Sequence, residues 1–326
     1  MFHLCVLLLV GFVILVKGAD IFVESACNLA YIFQVPVIII GIVIIGFGTS
    51  LPEFAVNLNA VLNNMNSIGI GAVVGSNIFN VLMIIGTVSL FKVIHVQPKM
   101  LKIELPFLII ASTLLILFLT KSLIFSGSNE LNNIEGYIFL GIFTLFIFFV
   151  LRAALKQRRV MIKETPKEEH HLSKAEELKI GENALSLIAG IVFIIYGGDL
   201  VVEKSAIIAE HLGLSHHFVG LTIVGIGTSL PELVTSIIAA IRNKQDLIIG
   251  NIIGSNIFNI LFVLGSVSVI RNLALTPAMI LDSVVCLLTV ILLTAMIFIR
   301  KKIGRMSGVF FILVYFAYFS YILISR

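Results

Sequence analysis

Two glutamates, Glu53 and Glu232, stand in nearly the same octapeptide, Gly-Phe-Gly-Thr-Ser-Leu-Pro-Glu at 46–53 and Gly-Ile-Gly-Thr-Ser-Leu-Pro-Glu at 225–232. Each octapeptide lies within a long apolar stretch. A carboxylate at mid-membrane costs about 3 kcal/mol on insertion scales. Two at equivalent positions demand a partner, and no Lys or Arg lies near them within those stretches. The natural partner is a bound cation.

Pro52 and Pro231 add backbone oxygens to the supply. A proline has no N–H, so the carbonyls four residues earlier, on Gly48 and Gly227, lose their helical donor. The same local unwinding can expose the carbonyls of Gly46 and Gly225. Freed carbonyls at membrane depth are tolerated where they line a cavity or coordinate an ion. A plain proline kink with glycines for close packing is the competing reading, and the adjacent glutamate weighs against it.

Hydroxyls and amides complete the set. Thr49 and Ser50 precede Glu53 by four and three residues, as Thr228 and Ser229 precede Glu232, so each hydroxyl can share a helix face with its carboxylate. Downstream, Ser76 and Asn80, and likewise Ser255 and Asn259, are four apart within the hexapeptide Gly-Ser-Asn-Ile-Phe-Asn, which occurs twice. The donor set is all oxygen, suited to a hard cation such as Ca²⁺, which takes about six to eight oxygens. No His or Cys joins it, which argues against zinc or copper. Singly, such Ser and Asn residues also serve to hydrogen-bond neighbouring helices. Gly71 with Gly75, and Gly250 with Gly254, are small-residue pairs that bring helices close.

The surrounding chain is built for lipid. Of 326 residues, 59% are hydrophobic and 12% charged, with mean hydropathy +1.13. Apolar runs of about 18–25 residues, the length of a membrane-crossing helix, recur throughout. An all-α polytopic membrane protein with ten transmembrane helices is predicted, at 2–24, 35–62, 68–91, 104–121, 134–152, 183–204, 217–241, 247–270, 277–299 and 306–324. Phe2–Val16 lacks a basic n-region and a small-residue cleavage site, so it reads as a retained first span. Cys5, Cys27 and Cys286 are scattered among apolar residues and form neither a disulfide framework nor a metal motif.

A polar stretch, Arg152–Glu182, separates two apolar halves and reads as a solvated linker. With the N-terminus outside, seventeen Lys and Arg fall on the cytoplasmic side with this linker and four on the other. That bias places both termini outside. The net charge of +4 therefore reflects orientation and anionic lipid, not nucleic acid.

The halves repeat. Shifted by 179 residues, 41–86 falls on 220–265 without a gap, with 21 of 46 positions identical. Gly18, Asp20 and Glu24 likewise fall on Gly197, Asp199 and Glu203. The predicted organisation is a five-helix repeat over 1–152, a linker over 153–182 and a second repeat over 183–326. Five is odd, so the second copy must be inverted, an arrangement that puts a binding site near the midplane. Lys17 could pair with Asp20 one helical turn away; Asp20 and Asp199 read as structural or interfacial. His170, His171, His216 and His217 read as solvated loop residues.

The doubled GTSLPE and GSNIFN segments resemble the two alpha repeats of the calcium/cation antiporter superfamily, sodium/calcium exchanger branch, especially its short bacterial inner-membrane members. The likeness covers most of both halves. It implies alternate Ca²⁺ and Na⁺ binding at Glu53 and Glu232. It also implies ligands at Thr49, Ser50, Ser76 and Asn80, at Thr228, Ser229, Ser255 and Asn259, and at the carbonyls of Gly46 and Gly225. The first helix of each repeat is expected to slide over the rest, with three Na⁺ moving per Ca²⁺ and no cofactor. Some relatives, including potassium-dependent ones, carry Asp where Asn259 stands, which weakens potassium coupling here. A proton-coupled or other divalent-cation antiporter is the alternative within this class, and a cation channel lies outside it. An intramembrane protease would use two aspartates rather than glutamates set among hydroxyls, so no enzyme is expected.

Overall fold

The computed structural model describes residues 2–63, 68–96, 101–124, 130–164, 174–212, 225–274 and 277–325. Among the described residues nine helices are long and apolar enough to cross a membrane, from Phe2–Ile32 to Arg305–Ile322. They coincide with nine of the ten expected spans. The remaining one, 217–241, lies partly outside the described residues and continues as the apolar helix Leu230–Ile241. The four histidines named above also lie outside them.

In chain order the helices are α1 (Phe2–Ile32), α2 (Val37–Ile40), α3 (Gly46–Thr49), α4 (Leu51–Leu62), α5 (Ile68–Phe79), α6 (Ile85–Phe91), α7 (Glu104–Ile124) and α8 (Asn133–Glu164). They continue as α9 (Lys174–His211), α10 (Leu230–Ile241), α11 (Gln245–Ile257), α12 (Gly265–Ile270), α13 (Pro277–Arg300) and α14 (Arg305–Ser325). Wider π-helical turns at Gly41–Ile45, Asn80–Ile84 and Phe258–Leu264 join α2 to α3, α5 to α6 and α11 to α12. The expected linker is largely helical: α8 runs on to Glu164 and α9 begins at Lys174. Its Lys, Glu and Gln residues are good helix formers, so the helices continue past the apolar sequence.

The chain forms two compact units, and each draws on both sequence halves: Met1–Thr49 with Ile147–Asn251, and Ser50–Phe146 with Ile252–Arg326. In the first, α1 packs along α9 through glycines. A Cβ on Gly197 would lie 2.5 Å from the Leu15 nitrogen, one on Gly18 2.7 Å from Phe193 Cβ, and one on Gly190 2.9 Å from Phe22 Cβ. Partners that descend in number along α9 as they ascend along α1 make the helices antiparallel, as inverted copies require. At the end of α10, Arg242 reaches Asp20 at 2.7 Å and Glu24 at 2.9 Å. The ion pair of Asp20 thus runs to another helix, not merely along α1 to Lys17.

The second unit repeats one connection twice. Strand β1 (Ile94–His95) pairs antiparallel with β4 (Lys302–Ile303), and β2 (Glu130–Leu131) with β3 (Leu273–Ala274). Ile94 and Leu273 are 179 residues apart, so each copy's strand pairs with a strand of the other. Asn132 and Glu135 cap α8 reciprocally, at 3.1 and 2.8 Å, and Lys121 reaches Glu135 at 2.6 Å. Phe54, Phe143, Phe258 and Phe262 pack their rings together.

Candidate cation-binding site

Both motif helices break at the serine before the Leu-Pro-Glu. Ser50 has φ −87°, ψ 4° and Ser229 φ −92°, ψ 4°, outside helical geometry, and new helices start at Leu51 and Leu230. Proline is tolerated in a first turn, where its missing N–H has no helical partner anyway. Pro52 and Pro231 therefore begin a second helix rather than kink the first. Glu53 and Glu232 fall in that first turn, where the helix dipole favours negative charge. Glu53 is 2% and Glu232 0% exposed. The break interrupts the regular i,i+4 face expected for Thr49 and Glu53.

In the first unit, Asn251 organises the surroundings of Glu232. Its Nδ2 donates to the Glu232 carbonyl at 3.3 Å and to Ser236 Oγ at 3.1 Å, while its Oδ1 accepts from Thr49 Oγ1 at 3.1 Å. The Thr49 hydroxyl also lies 3.0 Å from the carbonyl of Ile45 and 3.5 Å from that of Gly46. Its one proton is thus within reach of three acceptors. Ser229 is fully buried, and Thr228 and Gly225 belong to the same broken segment.

In the second unit, Ser76 Oγ donates to Glu53 Oε1 at 3.3 Å, and Asn259 Nδ2 stands 3.5 Å from the same hydroxyl. Asn57 donates to the Glu53 carbonyl at 2.7 Å, the service Asn251 performs for Glu232. Asn80 and Asn259, both fully buried, sit in the π-helical turns. Asn80 donates to Asn256 Oδ1 at 3.0 Å and Asn259 to Asn77 Oδ1 at 3.1 Å. The amide oxygens of Asn80 and Asn259 are buried with no hydrogen-bond partner among the described residues. Ser255 and Ser50 are fully buried in this unit as well. Each glutamate is thus joined to residues of the opposite repeat: Glu53 through Ser76 to Asn259, and Glu232 through Asn251 to Thr49.

Sequence reasoning missed Asn57, Asn77, Asn251 and Asn256. Asn77 and Asn256 carried a signal, since each is the first asparagine of a copy of the doubled hexapeptide. Asn251 carried none, because Ala72 occupies its place in the first repeat.

The model of the sodium/calcium exchanger protein family matches residues 3–152 and again 183–324. The chain belongs to the sodium/calcium exchanger family. CaxA of Alkalimonas amylolytica, named as an antiporter, is 34% identical over 98% of both chains. The sodium/calcium exchanger MaX1 of Methanosarcina acetivorans is 30% identical over 96% of both. Among solved structures, the sodium-calcium exchanger NCX_Mj soaked with 10 mM Na⁺ matches with TM-score 0.82 and 28% identity, over 98% of this chain and 99% of that one. This exchanger-family chain is accordingly an all-helical membrane protein.

Proposed function

We propose that the chain is a secondary antiporter that exchanges Na⁺ for Ca²⁺, with Glu53 and Glu232 as carboxylate ligands for both ions. One observation carries the reading: Glu53 is buried against Ser76 beside two fully buried amides, Asn80 and Asn259, whose oxygens have no hydrogen-bond partner among the described residues. A hard cation satisfies such oxygens, and a lipid chain cannot. Thr49, Ser50, Thr228, Ser229, Ser255 and the carbonyls of Gly46 and Gly225 complete the proposed ligand set. The names of MaX1 and NCX_Mj favour Na⁺ and Ca²⁺ as the ions.

Two bare carboxylates in low dielectric are prohibitive. The site must be neutralised before it changes from facing one side of the membrane to facing the other. One Ca²⁺ does this, and so do several Na⁺. Because they compete for the same oxygens, exchange follows. The chain catalyses no covalent chemistry and needs no cofactor. Its sequence halves, 1–152 and 183–326, are inverted repeats, and it resides in the inner membrane of a bacterium, as the inner membrane protein YrbG of Escherichia coli, 34% identical over 79% of this chain, is named for doing.

Protonating either glutamate would also remove its charge, so proton coupling is the second reading. The test is ⁴⁵Ca²⁺ uptake into vesicles preloaded with Na⁺, with K⁺ or with a pH gradient. Uptake is expected with internal Na⁺ alone. Uptake driven by the pH gradient and indifferent to Na⁺ would replace the sodium assignment.

A further inference from the structure

Four asparagines of the doubled hexapeptide form a closed arrangement in the second unit. Asn77 Nδ2 donates to the backbone carbonyl of Asn256 at 3.2 Å, and Asn256 Nδ2 donates to that of Asn77 at 3.2 Å. Each side-chain oxygen then accepts from the other copy's second asparagine: Asn77 Oδ1 from Asn259 at 3.1 Å, and Asn256 Oδ1 from Asn80 at 3.0 Å. All four residues are fully buried.

The chain of donors leaves no freedom in the amide orientations. A backbone carbonyl only accepts, so Asn77 and Asn256 must present their NH₂ groups to it. Their oxygens therefore face Asn259 and Asn80. An oxygen there demands a donor, which turns the NH₂ of Asn259 and Asn80 inward and their oxygens away. Those two oxygens are the buried acceptors that lack a partner among the described residues. Reversing either amide would set oxygen against oxygen and aim N–H groups at the place where a cation is proposed to bind.

We propose that Asn77 and Asn256 are positioning residues that lock the Asn80 and Asn259 amides with their oxygens toward the transported cation. The proposal rests on the reading of Asn80 and Asn259 as ion ligands. It also accounts for the identity of the two GSNIFN segments. Because the first asparagine of each copy serves the second asparagine of the other, neither copy can change alone without leaving a buried amide unmatched.

The test is the half-saturating Ca²⁺ concentration for ⁴⁵Ca²⁺ uptake into Na⁺-loaded vesicles, with thermal stability of each purified variant measured alongside. Asn77→Leu and Asn256→Leu are each expected to raise it by about 10- to 100-fold, the range for loss of a group that orients a metal ligand. The decisive readout is the pattern in double variants. Asn77→Leu should add nothing on an Asn259→Ala background and its full effect on Asn80→Ala, with the reverse pattern for Asn256→Leu. Equal additions on both backgrounds, or no change in half-saturation, would overturn the proposal. Should Asn77→Leu fail to fold, Asn77→Ala serves, because it removes the oxygen facing Asn259 without adding bulk. The same rise and the same pattern in double variants are expected, and their absence would refute the orienting role. If Asn80→Ala and Asn259→Ala themselves leave half-saturation unchanged, the ligand reading falls, and this inference with it.

Discussion

At the scale of single residues, the candidate site is a set of buried polar groups held by hydrogen bonds between the two sequence halves. Asn251 holds the Glu232 carbonyl, Ser236 and Thr49 at once. Asn251→Ala leaves those groups without their amide, and a buried donor or acceptor so abandoned costs about 1–3 kcal/mol. The expected result is a lower melting temperature together with a raised half-saturating Ca²⁺ concentration; unchanged values for both would show that Asn251 is incidental. The twelve residues proposed from the sequence were legible because a carboxylate, hydroxyls and amides recur at one spacing in two apolar contexts. Their orienting partners were harder to read. Hydrogen bonds such as that from Asn259 to Asn77 cross 182 positions of chain, and spacing along one helix says nothing of what faces it from another.

At the scale of elements, the motif works by interrupting helices. The break at Ser50 and Ser229 puts Glu53 and Glu232 at helix starts, and the π-helical turns carry Asn80 and Asn259. Proline and glycine announced the interruption in the sequence. They did not announce its form, since the same residues also fit a kinked continuous helix. The π-helical turns had no sequence signal, because Asn80–Ile84 reads like any apolar helix. The helical linker ends were likewise hidden, since charge alone does not separate a solvated helix from a solvated loop. Packing of α1 on α9 depends on glycine at the crossing. Gly197→Val would drive a side chain into the Leu15 backbone, and overpacking of this kind costs about 1–3 kcal/mol. Thermal unfolding of the purified variant should show it. Asp20→Asn should cost about 1 kcal/mol or less, because its ion pair with Arg242 is partly exposed, with side chains 38% and 31% accessible.

At the scale of the whole molecule, duplication and family membership meet: the family model matches twice, once on each sequence half. The repeat was legible as a register of 179 residues. The composition of the compact units was not, because each unit draws on both halves. Topology is open to direct test. In Lys179→Cys, at an exposed position within the polar stretch and with Cys5, Cys27 and Cys286 replaced by serine, an impermeant thiol reagent is expected to react only from the cytoplasmic side. Labelling from outside would invert the proposed orientation. Stoichiometry has a signature too. If three Na⁺ leave a vesicle per Ca²⁺ entering, one positive charge leaves with them, worth about 2.3 kcal/mol per 100 mV. Uptake should quicken when the interior is made positive and slow when it is negative; indifference to potential would mean electroneutral exchange. The claim on which all of this depends is that the two buried glutamates hold the transported ion, and equilibrium ⁴⁵Ca²⁺ binding to the purified protein measures it without transport. The account requires saturable binding that Na⁺ displaces and that is lost in Glu53→Gln and in Glu232→Gln. Binding by both variants as tight as that of the unaltered protein would contradict it.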